Sequence, residues 1–136
     1  MILIINTCLK NSFEIIIVSR KNDFKVKKFS GGFNCSEKLL TGIDSLLKKI
    51  KADASQLKVV AVVIGPGGFT SVRIGVAVAN ALGYSLNLPI IGLRAGDFSN
   101  NNELVEKVFL ESKTSKRGKL VLPYYDRKPN ITMIKK

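Results

Sequence analysis

Apolar and polar positions alternate in blocks along the chain, and the blocks predict an ordered series of elements. Ile2 to Asn6 is a short apolar run, and Phe13 to Ser19 is a second. In Phe24 to Phe29, Phe24, Val26 and Lys28 alternate with Lys25, Lys27 and Phe29. Turn-like Lys10-Asn11-Ser12 and Arg20-Lys21-Asn22-Asp23 separate the three runs. Such a series predicts a three-stranded antiparallel meander, ended by Ser30-Gly31-Gly32. A helix follows. Asn34 can cap it with Glu37 three residues on, and Leu39, Leu40, Ile43, Leu46, Leu47 and Ile50 form one apolar stripe. Lys58 to Ile64 is almost entirely β-branched, as expected of a strand covered on both faces. Gly65-Pro66-Gly67-Gly68 breaks it, a second helix should run from about Thr70 or Ser71 to Leu86, and Pro89 to Leu93 should be another strand. Later signals are weaker. Asn100 to Lys113 reads as one modest helix, and Leu120-Val121-Leu122 as an edge strand before Pro123. The order is that of an α/β fold with a mixed sheet.

The second helix is unusual. At 100° per residue, Ile74, Val78, Ala81, Leu82 and Ser85 cluster on a face suited to the sheet. Arg73, Val76, Ala77, Asn80, Tyr84 and Asn87 cluster opposite. The helix has no acidic residue, and only Arg73 is charged. A helix apolar around most of its circumference is covered on both sides. The second cover is either the first helix or another chain, since small residues with Tyr and Arg suit an interface.

Composition narrows the chemistry. The 136 residues allow one domain with a real core. There is no His, which excludes Ser–His and Cys–His pairs and an imidazole acid or base. Cys8 and Cys35 fit no zinc spacing and are expected as buried free thiols. No secretory signal peptide is evident, and the nearly uncharged stretch Ile74 to Leu93 holds Asn80, Asn87, three glycines and Pro89. A cytoplasmic protein with no membrane span is therefore the expectation. The net charge of +12 suits either anionic partners or a basic solvated surface. Lys113 to Lys136 alone carries +7. This basic tail either touches nucleic-acid phosphates or keeps the chain soluble.

The loop Gly65-Pro66-Gly67-Gly68-Phe69-Thr70 lies between strand and helix, where backbone N–H groups can hold an anion. It lacks the Lys-Ser/Thr of a phosphate loop and the spacing of a dinucleotide loop. A tight reversal with close packing is the preferred reading.

Ile64 to Gly83, followed by Leu88-Pro-Ile-Ile-Gly-Leu93, resembles the TsaB (YeaZ) family. That family carries Gly-Pro-Gly-x-Phe-Thr-Gly-x-Arg-Ile-Gly and then an apolar helix. Ser36-Glu37-x-Leu39-Leu40 is similar to the opening of its first helix, and Ile4-Ile5-Asn6-Thr7 stands where it has a hydrophobic run ending in Asp-Thr. Ser71 replaces a glycine, Asn6 an acidic residue, and Cys35 a position where His is common. The resemblance covers residues 1–95. It implies an actin-like, ribonuclease-H-like (ASKHA) lobe there, with a reduced C-terminal region at 96–136, where Pro123-Tyr-Tyr-Asp-Arg-Lys128 resembles a short segment near the family's C-terminus.

The resemblance also implies a non-catalytic scaffold. It would bind and organise the TsaD-type transferase that puts threonylcarbamoyl on the tRNA adenosine beside the anticodon. TsaD-type catalysis needs a metal held by a His pair, so no metal site, catalytic residue or cofactor is expected here. Leu39, Leu40, Arg73, Val76, Ala77, Asn80 and Tyr84 would line the partner interface, a homodimer would form when the partner is absent, and a TsaE-like ATPase would join the assembly. Two alternatives remain: a basic tRNA- or RNA-binding module of the same fold, and a nucleotide-binding enzyme. The second would need acidic residues at strand ends to hold Mg²⁺; Asn6 takes one such place, and Asp97 lies beyond the core strands.

Overall fold

Every side chain of β1 (Ile2–Asn6) is buried, which places this strand at the centre of the sheet. The computed structural model describes residues 1–9, 12–20, 22–30 and 35–124, with Cys35, Ser36 and Phe69 described in backbone only. β2 (Ser12–Arg20) pairs antiparallel with β1, joining Ile2 to Val18 and Ile5 to Ile15. β3 (Asp23–Ser30) pairs antiparallel with β2. The expected meander is therefore present. After α1 (Cys35–Lys49), β4 (Val59–Gly65) adds parallel to the other side of β1. After α2 (Phe69–Leu86), β5 (Ile90–Arg94) adds parallel to β4. α3 (Asn101–Ser112) completes the elements named here. The sheet order is β3-β2-β1-β4-β5.

The pleat sorts the apolar runs onto two faces. Leu3, Ile5, Ile15, Ile17, Val60 and Val62 share a core with α1 and α2. Their neighbours Ile2, Ile4, Ile16, Val18, Ala61 and Val63 share another with Leu104, Val105 and Val108 of α3. Helices on both faces explain why β1 and β4 read as continuous apolar runs rather than alternating ones. The Asn100 side chain caps α3, accepting from the Glu103 N–H at 2.9 Å.

Three expectations are corrected. Leu40 is 52% exposed, whereas Leu39, Ile43, Leu46 and Leu47 are buried. A helix turns about 100° per residue, which carries Leu40 past the edge of the buried arc. α2 is rotated from the expected orientation. Val72, Gly75, Val76, Ala79 and Gly83 face inward, while Ala81 and Ser85 are exposed. The hydrophobic wheel points the bulkiest residues inward, but the closest approach is made by the smallest. A side chain at Gly75 would overlap Thr7, and one at Gly83 would overlap Ile90. The third correction is Leu120-Val121-Leu122, which forms no strand. The Asn80 side chain holds it instead, accepting from the Val121 N–H at 3.0 Å and donating to its carbonyl at 2.9 Å.

The Asn34 cap and the second half of the basic tail, residues 125–136, lie outside the described residues, as does the Cys35 side chain. Among the described residues no helix is long and apolar enough to cross a membrane.

Candidate functional site

The glycine loop begins where β4 ends. Gly65 has φ +124°, a left-handed conformation that favours glycine, and a side chain there would overlap the Tyr124 carbonyl. The Tyr124 N–H donates to the Ile64 carbonyl at 2.7 Å, and the Arg94 guanidinium lies 4.0 Å over the Tyr124 ring. A Cβ on Gly67 would come within 2.9 Å of the Cys8 Cα. Pro66 is half-buried, Gly68 and Thr70 are exposed, and the Phe69 backbone opens α2. Two of the loop glycines thus have a packing reason in segments that lie against them.

Asn6 and Cys8 sit beneath this loop. Asn6 is buried and its side-chain Oδ1 accepts from the Cys8 N–H at 3.0 Å, so the residue at the family's acidic position shapes a turn. The free Cys8 thiol donates to the Val63 carbonyl at 3.4 Å. Burial pushes the thiol up to about 11, against a hydrogen bond from the Gly65 backbone that pulls it down. Between about pH 9 and 11 the unfolded chain releases a proton that the folded chain retains. Stability from this group is therefore complete below that window and falls as pH rises through it. Thermal melts across the window should show a shallower decline for Cys8→Ser than for wild type.

The residues proposed for a partner face separate into three groups. Leu39 is 0% and Val76 3% exposed, so both belong to the core. Asn80 is half-buried and committed to Val121. Leu40, Arg73, Ala77 and Tyr84 remain on the surface, with Tyr84 87% exposed. Arg73, Ala77 and Tyr84 share one side of α2, and Ala81, placed by the sequence on the sheet face, joins them. α1 and α2 pack side by side. Replacing Asn80 by Ala should leave this outer side intact and free the segment around Val121. The loss of two hydrogen bonds at a half-buried position should cost about 1–3 kcal/mol, read as faster amide hydrogen exchange at Val121 and Tyr124.

Among the described residues no three His, Cys, Asp or Glu side chains gather in a group that could hold a metal ion. Residues 31–125 match the family model TsaD, described as tRNA N6-adenosine threonylcarbamoyltransferase. The tRNA threonylcarbamoyladenosine biosynthesis protein TsaB of Buchnera aphidicola subsp. Acyrthosiphon pisum (strain APS) is 38% identical over 63 residues, which are 43% of this chain and 28% of that protein. The protein of the same name from Bacillus subtilis (strain 168) is 39% identical over 57 residues, 42% of this chain and 25% of that protein. The chain thus spans little more than a quarter of the curated relatives it matches. The solved structure of YeaZ from Pseudomonas aeruginosa superposes with a TM-score of 0.62 at 22% identity, covering 68% of this chain and 44% of that one. That likeness shows the fold, an actin-like lobe on a mixed five-stranded sheet. The matched model runs from before α1 to the residue after Tyr124, more than half of the sequence, and the chain, whose curated relatives here carry the name TsaB, belongs to this threonylcarbamoyltransferase family.

Proposed function

We propose that this chain takes part in making threonylcarbamoyladenosine in tRNA as a non-catalytic subunit that binds and organises a TsaD-type transferase. The observation that carries the reading is the outer side of α2. An 18-residue helix without an acidic residue presents Arg73, Ala77, Ala81 and Tyr84 to the outside. Small side chains let a second helix approach closely, and Tyr and Arg are the residue types that most often anchor an interface. Leu40 on α1 adds exposed apolar surface. The chain contains no His, so the His pair expected of the catalytic relative must come from the partner. In this reading a TsaE-like ATPase joins the assembly, and a homodimer forms through the same helices when the transferase is absent. The assembly works in the cytoplasm.

Co-expression with the TsaD-like protein of the same organism tests the reading. Affinity capture followed by size-exclusion chromatography should recover a one-to-one complex, with the chain alone running as a dimer. A monomer that captures no transferase would sink it.

A further inference from the structure

The charge of this protein is unevenly placed, and one concentration lies away from α2. α1 meets β3 along a seam. Gly42 of α1 lies against the Phe29 ring, where a side chain would overlap it. The Lys27 ammonium donates to the Ser45 hydroxyl at 3.2 Å and lies 5.3 Å over the Phe29 ring. The Lys38 ammonium donates to the Ser30 carbonyl at 3.4 Å. These contacts fix which residues border the seam. Lys38, Gly42, Ser45 and Lys49 recur every three or four residues and form one row of α1. Lys25 and Lys27 are two apart on β3 and stand on the same face. Lys25, Lys27, Lys38 and Lys49 therefore run along one line.

The acidic residues of these two elements lie elsewhere, apart from one. Glu37 and Asp44 belong to the next row of α1, where Asp44 pairs with Lys48 at 3.0 Å. Asp23 begins β3 at the far end of the seam. The groups that hold Lys27 and Lys38 are a hydroxyl and a carbonyl, which position the ammonium groups without neutralising them. From Lys38 to Lys49 the helix rises roughly 16 Å, enough for several consecutive phosphates of a strand.

We infer that the α1–β3 seam is a phosphate-backbone contact for RNA, made by Lys25, Lys27, Lys38 and Lys49. An acidic protein is a poorer occupant. Protein interfaces are depleted in Lys and need an apolar centre, whereas Phe29 is stacked on Phe13 at 4.7 Å and covered by Lys27. A lipid surface would want exposed apolar side chains to insert beside the lysines. Lysines without base-reading side chains match contacts that position an RNA and carry no sequence information. The choice of tRNA as the RNA rests on the proposed role; the row of charge does not.

The test uses the full chain without a transferase, so its outcome is separate from the capture experiment. Binding to labelled unfractionated tRNA is measured by fluorescence anisotropy at several KCl concentrations. Each phosphate contact adds about 0.7–0.9 to the slope of log K against log salt. The variant Lys25→Gln, Lys27→Gln, Lys38→Gln, Lys49→Gln should lose about three units of slope. A control with the same charge change at Arg20, Lys28, Lys58 and Lys107, all exposed and outside both the seam and the basic tail, should keep most of its slope. Circular dichroism checks that both fold. Lys25→Gln with Lys49→Gln spares the two hydrogen-bonded lysines and should lose about half as much as the fourfold variant. Equal losses in seam and control variants would reduce the effect to total charge and overturn the assignment. So would an unchanged seam variant, a wild type that does not bind tRNA, or a seam variant that loses only binding to anionic lipid vesicles.

Discussion

Ala77→Glu is expected to leave the chain folded and to abolish capture of a TsaD-type transferase. Ala77 is exposed on α2, so the new carboxylate stays in water in the free protein, one turn from Arg73. In a helix-to-helix contact the same carboxylate must lose its water. An unpaired charge in such a place costs about 2–5 kcal/mol, which weakens binding from about thirtyfold to several thousandfold. Tyr84→Ala approaches the question without a charge. Its ring is 87% exposed in the free chain, so its removal costs the fold little. A Tyr anchor at the centre of an interface is worth about 2 kcal/mol or more. Titration calorimetry against the purified transferase, with thermal melts of the free variants, reads both. Undiminished affinity in both variants would mean that the outer side of α2 is not the contact. Unfolding by Ala77→Glu would make that side part of the core.

The part of the fold that was legible in the sequence is the part set by long runs. β1, β2 and β4 are continuous or nearly continuous apolar segments, and the turns between β1, β2 and β3 carry Asn, Ser and Asp. Helix limits were legible because Gly68 and Asn87 bound α2 and Asn100 caps α3. What failed was the rotation of α2. A wheel ranks residues by size and hydrophobicity, yet Gly75, Ala79 and Gly83, four apart, make the near approach to the sheet. That spacing of small residues was present to be read. Val76 moved inward with it and Ala81 moved outward, which exchanged one candidate interface residue for another. Asn80 could not have been assigned from its position, because its partner Val121 is 41 residues away. The seam of lysines was hidden for a related reason. Lys25 and Lys27 look like the solvated side of a meander strand until Ser45 and Gly42 place α1 beside them.

Gly75→Val is expected to destabilise the chain more than any loop substitution that spares a buried contact. A Cβ at this position would stand 3.0 Å from Thr7 Cγ2 and 3.2 Å from Thr7 Cβ, and would overlap Thr7 Oγ1. Thr7 is fully buried, so its side chain cannot turn aside into solvent. Nor can the turn that carries it drop away freely, because the Cys8 N–H donates to the Asn6 side-chain oxygen at 3.0 Å and the Cys8 thiol to the Val63 carbonyl at 3.4 Å. α2 must therefore back away from β1, loosening Val72, Val76 and Ala79 in the core they share with Leu3 and Ile5. Overpacking of this kind costs about 1–3 kcal/mol, and the better helix propensity of Val over Gly returns about 0.4 kcal/mol. A net loss near 2 kcal/mol corresponds to a fall of roughly 8 °C in Tm for a domain of this size. The Thr7 Oγ1 atom is buried without a hydrogen-bond partner among the described residues, so Thr7→Ala removes an unsatisfied group together with the obstacle. Alone it should be close to neutral. Combined with Gly75→Val it should recover at least half of the lost Tm, a coupling of about 1 kcal/mol between the two sites. A double variant that melts as low as Gly75→Val would show that Thr7 is not what sets the distance between α2 and β1.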